Sequence, residues 1–327
     1  MPRKNNEMTA SAIATSDVVI EIIELTKEYE VGFLKKRKVR ALDHLSLEVR
    51  RGEIFGFLGP NGAGKTTTLK LLMRLIYPTE GAAKILGHPI DDVAIRSRIG
   101  YLPENPYFYD YLSGRELLEY FGALFGLPAD VASARAKELL RAVGLDSDRA
   151  NRQLRKYSKG MLQRIGIAQA LLNDPEIVFM DEPMSGLDPI GRREVRDLLL
   201  SLREQGKTVF FSSHILSDVE ALCDRAAILS RGKLVRCGTV HELTGIEDSA
   251  LEVIAMGIES SELGRFSEIV SSLQSAIATP NGVHIVLGDE SEIDQTLALI
   301  RECGGKLVSI NRRASLEDAF ADSEHVA

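Results

Sequence analysis

The chain has 327 residues, 44% of them hydrophobic and 27% charged, a composition that suits a soluble globular protein with one large and one small domain. Its 40 basic and 47 acidic residues leave a net charge of −7, which excludes a protein-wide electrostatic footprint for nucleic acid. Cys223, Cys237 and Cys303 are odd in number and far apart; they exclude a disulfide framework and a CxxC zinc site and read as thiols of a reducing cytoplasm.

Residues 1–17, MPRKNNEMTASAIATSD, are small and polar, lack the apolar centre of a signal peptide, and read as a disordered leader. No apolar stretch approaches the ~18 residues needed to span a bilayer, so any membrane role comes through a partner. Over residues 18–238, short apolar runs at 53–58, 177–180, 208–211 and 226–229 alternate with amphipathic helical patterns. This alternation predicts an α/β domain with a mainly parallel sheet. Residues 104–173 interrupt it, because their periodic segments (114–125, 131–143 and 159–172) are all helical; a helical subdomain inserted into the α/β core is expected. Residues 239–327 read as a small α+β unit: a strand at 251–255, a helix at 261–274, a strand at 283–287, a helix at 292–303, and further elements at 307–310 and 316–320. That order suggests a split βαβ arrangement.

The clearest chemistry lies between the strand EIFGFL and the helix TTLKLLMRLI. There Gly59, Pro60, Asn61, Gly62, Ala63, Gly64, Lys65 and Thr66 fit GxxxxGK[ST], with Thr67 next. The glycines let backbone N–H groups curl around phosphate oxygens, the helix N-terminus adds partial positive charge, and Lys65 is placed for the β and γ phosphates. Thr66 offers a hard oxygen to Mg²⁺. A glycine-rich turn ahead of a helix would be the bland explanation, but the strand–loop–helix context is what the motif demands. Downstream, the apolar run 177–180 ends in Asp181 and Glu182, two carboxylates at the C-terminal edge of a buried strand, where open α/β sheets bind ligands. Asp181 is placed for the Mg²⁺ shell, and Glu182 for orienting and deprotonating an attacking water. An arbitrary Asp-Glu pair would more often cap a strand; the phosphate cradle upstream changes that balance.

Tyr157-Ser158-Lys159-Gly160-Met161 lies before the acid pair, and Ser185-Gly186-Leu187-Asp188 and Ser213-His214 follow it. This order resembles the ATP-binding-cassette (ABC) ATPases over roughly residues 20–238. The resemblance implies a P-loop NTPase core that hydrolyses ATP with Mg²⁺. It makes 157–161 the signature, usually LSGGQ, which closes over ATP held by a second subunit. Ser158 and Gly160 match; Tyr157, Lys159 and Met161 depart. One cassette per chain then implies a second copy as partner. Asp188 matches the loop that crosses the subunit interface and, followed by Pro189, is also a good helix N-cap. His214 matches the switch histidine that contacts the γ-phosphate and the water. Tyr29 looks like the aromatic that stacks on adenine, a contact worth ~1–3 kcal/mol. Glu104 stands where the family usually has glutamine, and either side chain offers oxygen to Mg²⁺. The aromatic run 106–111 would by resemblance face a transmembrane partner, with a place in the subdomain core as the alternative. The basic run 35–38 with Arg40 reads as a solvated loop rather than a nucleic-acid or lipid site.

Two functions remain: the ATP-binding subunit of a transporter, and a soluble cassette ATPase acting on ribosomes or DNA. The latter kinds carry two cassettes or a cassette split by coiled coil, and neither feature is seen here. The tail 311–320, NRRASLEDAF, is similar to tails of bacterial drug-export and sodium-export ATPases. The expectation is therefore an exporter ATPase on the cytoplasmic face of the membrane, docked to a separate permease, with no nucleic-acid partner.

Overall fold

The computed structural model describes residues 17–32, 36–145, 147–244, 251–279 and 282–312. The expected leader, apart from Asp17, and the tail from residue 313 lie outside them. Two compact units divide between Val240 and His241.

In the first unit, the strands β1 (Val18–Val31), β2 (Arg37–Arg50), β4 (Glu80–Ile85) and β5 (His88–Pro89) form an antiparallel sheet of order β2-β1-β4-β5. The sequence reading placed this stretch in a mainly parallel sheet. The difference arises because only five residues separate β1 from β2, too few for the crossover that parallel strands require. The basic run is corrected with it. Arg37 to Arg40 belong to β2 rather than to a loop, and their neighbours are acids: Lys36 with Glu30, Lys38 with Glu28, and Arg40 with Glu28 and Asp43.

The second sheet contains β3 (Ile54–Leu58), β6 (Ile99–Leu102), β7 (Ile177–Asp181), β8 (Thr208–Ser213), β9 (Arg225–Ser230) and β10 (Lys233–Thr239), in the order β10-β9-β3-β8-β7-β6. All neighbours are parallel except β10 on β9. The strands β3, β7 and β8 are buried at every position, as continuous apolar runs covered on both faces must be. Phe210 anchors this core, with Phe55, Phe57 and Phe179 rings 5.2–5.7 Å from its own, the spacing at which aromatic pairs attract. Helix α1 (Lys65–Leu72) follows β3. Between β6 and β7 the chain is helical: α2 (Gly114–Leu124), α3 (Ala129–Ala142) and α4 (Lys159–Ala170). A capping box starts α2, with Ser113 and Glu116 satisfying each other's backbone N–H groups. Helix α5 (Pro189–Glu204) precedes β8, and α6 (Leu216–Leu222) follows it. This is a P-loop NTPase core with an inserted helical subdomain.

The second unit runs β11 (Leu251–Met256), α7 (Leu263–Ile269), β12 (Leu273–Thr279), β13 (Gly282–Leu287), α8 (Ile293–Glu302), β14 (Lys306–Arg312). Its sheet order β12-β13-β11-β14 with antiparallel neighbours is the split βαβ arrangement. The helix expected over 261–274 is corrected to the shorter α7, and β12 takes the remainder. Leu263 and Phe266 keep the helical period, but Val270 is already extended at φ −99°, ψ 106°. As an edge strand with Ile277 exposed, β12 lacks the apolar alternation that would have marked it. The element expected at 316–320 lies outside the described residues.

Candidate active site

The loop joining β3 to α1 is held in shape by its glycines. A Cβ on Gly59 would stand 2.6 Å from the Leu229 carbonyl oxygen. Gly64 combines φ 110° with a Cβ position 2.7 Å from the Ala41 carbonyl oxygen. Neither position accepts a side chain, so glycine lets the backbone pack close at the start of α1. Lys65, the first residue of α1, is buried. Its ammonium donates to the carbonyls of Gly59 (2.6 Å) and Pro60 (3.3 Å) and lies 3.4 Å from Glu182 Oε1.

Across from it, β7 and β8 end side by side with Asp181 opposite Ser212. Asp181 is buried; its Oδ1 accepts from the Ser212 hydroxyl at 2.6 Å, and its Oδ2 is buried with no hydrogen-bond partner. Burial and the charge of Asp181 push the Tyr101 phenol up to about 12. Glu182, one residue past the strand, adopts φ 51°, a left-handed conformation costing of order 1–3 kcal/mol for such a residue. Its N–H donates to Ser212 Oγ (3.0 Å), its carbonyl accepts from the Ser185 N–H (3.0 Å) and from Gln163 Nε2 (3.4 Å), and its Oε2 lies 2.7 Å from His214 Nδ1, with Lys65 against Oε1.

These elements surround a cavity of ≈ 630 Å³ lined by Pro60, Asn61, Gly62, Gly64, Lys65, Thr66, Thr67, Glu104, Glu182 and His214, together with Ala41 and Ser185. Gly59, Ala63 and Asp181 are buried around it without lining it. The other expected residues also stand outside that lining. Tyr29 is half-buried in β1 opposite Val39, with the Lys27 ammonium 5.2 Å from its ring centre. Ser158 is the N-cap of α4 and accepts from the Met161 N–H at 3.3 Å. Asp188 is the N-cap of α5 and accepts from the Gly191 N–H at 2.8 Å. Gly160 faces Leu187, whose Cδ2 would be 3.2 Å from a Cβ at that position.

The motif reading missed Ser212 and Gln163, and gave Ser185 and Ala41 no role at the cavity. Ser212 directly precedes the Ser213-His214 pair, so it was within view. Its importance depends on the β7–β8 register, which no local pattern carries. Chemically, the cavity offers a buried cation beside a glycine-rich loop and a carboxylate against an imidazole, and next to that carboxylate, buried without lining the cavity, Asp181 keeps one oxygen without a donor.

Comparison with known proteins gives the family. Residues 42–185 match the ABC transporter family model. An uncharacterized ABC transporter ATP-binding protein of Synechocystis sp. is 47% identical over 92% of this chain and 83% of its own length. The Nod factor export ATP-binding protein I of Cupriavidus metallidurans is 36% identical over 88% of this chain and 96% of its own length. Among solved structures, a dimeric ATP-binding cassette in a post-hydrolysis state, bound to ADP and Pi, superposes with a TM-score of 0.62 at 28% identity. That match covers 67% of this chain and 98% of the cassette.

Proposed function

The chain belongs to the ATP-binding proteins of ABC transporters and is an ATPase, and from that premise we propose that it works as a head-to-tail pair of copies driving export through a separate transmembrane permease. The backbone N–H groups of the 59–64 loop and the ammonium of Lys65 bind the β and γ phosphates of ATP, with Thr67 beside them at the start of α1; Pro60 has no N–H to give, and the Ala63 N–H donates to the Pro60 carbonyl. For this, Lys65 exchanges the Gly59 and Pro60 carbonyls for phosphate oxygens, which accept charge-assisted bonds more strongly than neutral carbonyls do. Glu182 orients the attacking water and takes its proton as the oxygen bonds to the γ-phosphorus and the bond to ADP breaks. His214, already against Glu182 Oε2 at 2.7 Å, holds that carboxylate and faces the γ-phosphate. Tyr29 supplies a stacking surface for adenine.

The free, buried Oδ2 of Asp181 fits a divalent cation, since a buried carboxylate oxygen without a donor is costly unless a cation meets it. Thr66 and Glu104 complete the protein oxygens of that site. No group of three or more acidic, histidine or cysteine side chains among the described residues makes an all-protein metal cage; Mg²⁺ characteristically takes one or two carboxylates plus the nucleotide's own phosphates. Bound there, Mg²⁺ supplies neutralisation of phosphate charge.

The observation that carries the paired arrangement is the composition of the cavity, which gathers Lys65, Thr66, Glu182 and His214 but neither Ser158 nor Gly160. In a head-to-tail pair, those signature residues and Asp188 of one copy close the site of the other. The solved neighbour is itself a dimer. For the permease, no described helix is long and apolar enough to cross a membrane, and the helical subdomain displays a tyrosine cluster. Tyr107 is 96% exposed, and Tyr109, Tyr111 and Tyr120 are exposed, with the Tyr109 ring T-shaped to Tyr120 at 5.7 Å and tilted against Tyr111 at 6.0 Å. Exposed aromatic surface of this kind is characteristic of an interface. Export as the direction draws on the Nod factor export relative.

Mixed dimers test the shared site. Lys65→Ala and Ser158→Arg homodimers, each in a Glu182→Gln background, should trap no ATP. In the mixed dimer both lesions fall on one composite site, and the other is intact. Isolated by two different tags, the heterodimer should trap about one ATP per pair; trapping no greater than in either parent would leave a cradle acting within one copy as the better account.

A further inference from the structure

We propose that Ser212 is a positioning residue that sets both carboxylates of the site through one hydroxyl: it turns Asp181 so that Oδ2 is left for the cation, and it holds Glu182 in the backbone conformation that aims its side chain into the cavity. The inference rests on the reading of Asp181 as the metal-holding carboxylate. Ser212 is fully buried near the end of β8, in register with Asp181 across the parallel ladder. A serine hydroxyl has one proton to donate and lone pairs to accept with. An ionised carboxylate only accepts, and a backbone N–H only donates. The two contacts therefore have a forced direction: the hydroxyl gives its proton to Asp181 Oδ1 at 2.6 Å and accepts the Glu182 N–H at 3.0 Å.

Each contact does separate work. Glu182 stands just past the last residue of β7 with φ 51°, and the Ser212 oxygen takes the buried N–H that this left-handed turn presents. Burying that N–H unpaired would add a desolvation penalty to the backbone strain. On the Asp181 side, occupying Oδ1 fixes the carboxylate's rotation and leaves Oδ2 as the oxygen of that carboxylate that is buried without a donor. Groups that bond to a metal's ligands commonly change metal affinity or activity by about 10- to 100-fold when removed. Nothing in the local motif requires this serine. The role comes from one residue of β8 serving the last residue of β7 and the residue that follows it.

The test separates a metal-directed role from a merely structural one by using a readout without turnover. Mn²⁺ binding to the full-length protein with ADP is followed by the loss of the free-ion EPR signal, and metal-free affinity is measured with a fluorescent ATP analogue in EDTA. Ser212→Ala should weaken Mn²⁺ by about 10- to 100-fold and slow hydrolysis while leaving the metal-free affinity unchanged. Ser212→Thr, which retains the hydroxyl, should restore Mn²⁺ binding. Should the alanine protein fail to fold, Ser212→Cys keeps the volume with a weak donor and carries the same expectation. Wild-type Mn²⁺ affinity in the hydroxyl-free variants overturns the proposal, as does an equal loss with and without metal. Asp181→Ala separates the two levels of failure. If it binds Mn²⁺ normally, the metal reading falls and this inference with it; if it loses Mn²⁺ while Ser212→Ala does not, only the inference falls.

Discussion

The two units of the chain are both layers of helix and sheet, yet they bury different things. Up to Val240, the interior holds Lys65, Gln163, Asp181, Glu182, Ser212 and Ser213 around one cavity. In the C-terminal unit, the described core is apolar, built from Val253, Phe266, Ile285, Leu287 and Ile300. Thr296 is its one fully buried polar side chain among the described residues, and it bonds to the Glu292 carbonyl four residues back. Buried polar groups cost free energy unless partnered, so a cluster of them in one unit marks where chemistry has been built. The described core of the other unit is held by apolar packing.

The largest effect that would sharpen this contrast is loss of the Glu182 carboxylate. Glu182→Gln should slow hydrolysis by ~10²-fold or more while ATP binding, measured by equilibrium titration, persists. Wild-type phosphate release from that variant would mean the buried cluster is not the catalytic one.

A core truncation in the other unit should do the reverse. Phe266 is fully buried, and Phe266→Ala should cost about 3–5 kcal/mol of that unit's stability. Calorimetry should show its transition at lower temperature with nucleotide affinity intact; a parallel fall in affinity would tie the two units together.

A smaller effect is acid sensitivity. Hydrogen bonds from the Ser271 hydroxyl, and from the hydroxyl and amide of Ser272, hold the Glu292 carboxyl at about 2. A depressed folded-state value stabilises the fold above the unfolded value near ~4.3, and that contribution disappears as pH falls through the range down to about 2. Glu292→Gln should therefore remove part of the acid dependence of the C-terminal unit's unfolding below pH ~4.3, followed by circular dichroism. An unchanged pH profile would show that the Ser271–Ser272 contacts carry no linkage. Smallest of all should be the effect of ending the chain at Val240 on nucleotide affinity. The solved cassette is covered to 98% of its length by 67% of this chain, so a unit of that size stands without a C-terminal addition. Loss of ATP binding in the truncated protein would make the C-terminal unit part of the site.

Much of this was legible before any coordinates. The loop 59–67 announces itself because its function needs backbone conformations set by residues within ten positions of each other, and glycine is the residue that permits them. The acid pair is legible for a similar reason, since an apolar run that stops at two carboxylates can hardly be anything but a strand end. Strand β12 was missed because an edge strand with one apolar face half exposed resembles the helix before it. The separate antiparallel sheet of β1, β2, β4 and β5 was missed because the alternation that marks it is broken by bulges, with register shifts at Ile22/Leu25 and Leu25/Lys27.

The sequence by itself determined the fold class, the glycine-rich loop between a strand and a helix, and the two carboxylates at a strand end, all properties of contiguous segments whose local conformation their own residues dictate. Only the tertiary structure decided that Lys65 rests against Glu182, that Ser212 occupies one oxygen of Asp181 and leaves the other open, and that the Ser158 signature stands outside the cavity. These depend on which strands lie side by side and in what register. Ser212 is 31 positions from Asp181 in the chain, and that separation becomes 2.6 Å because β7 and β8 pair in parallel with their ends aligned.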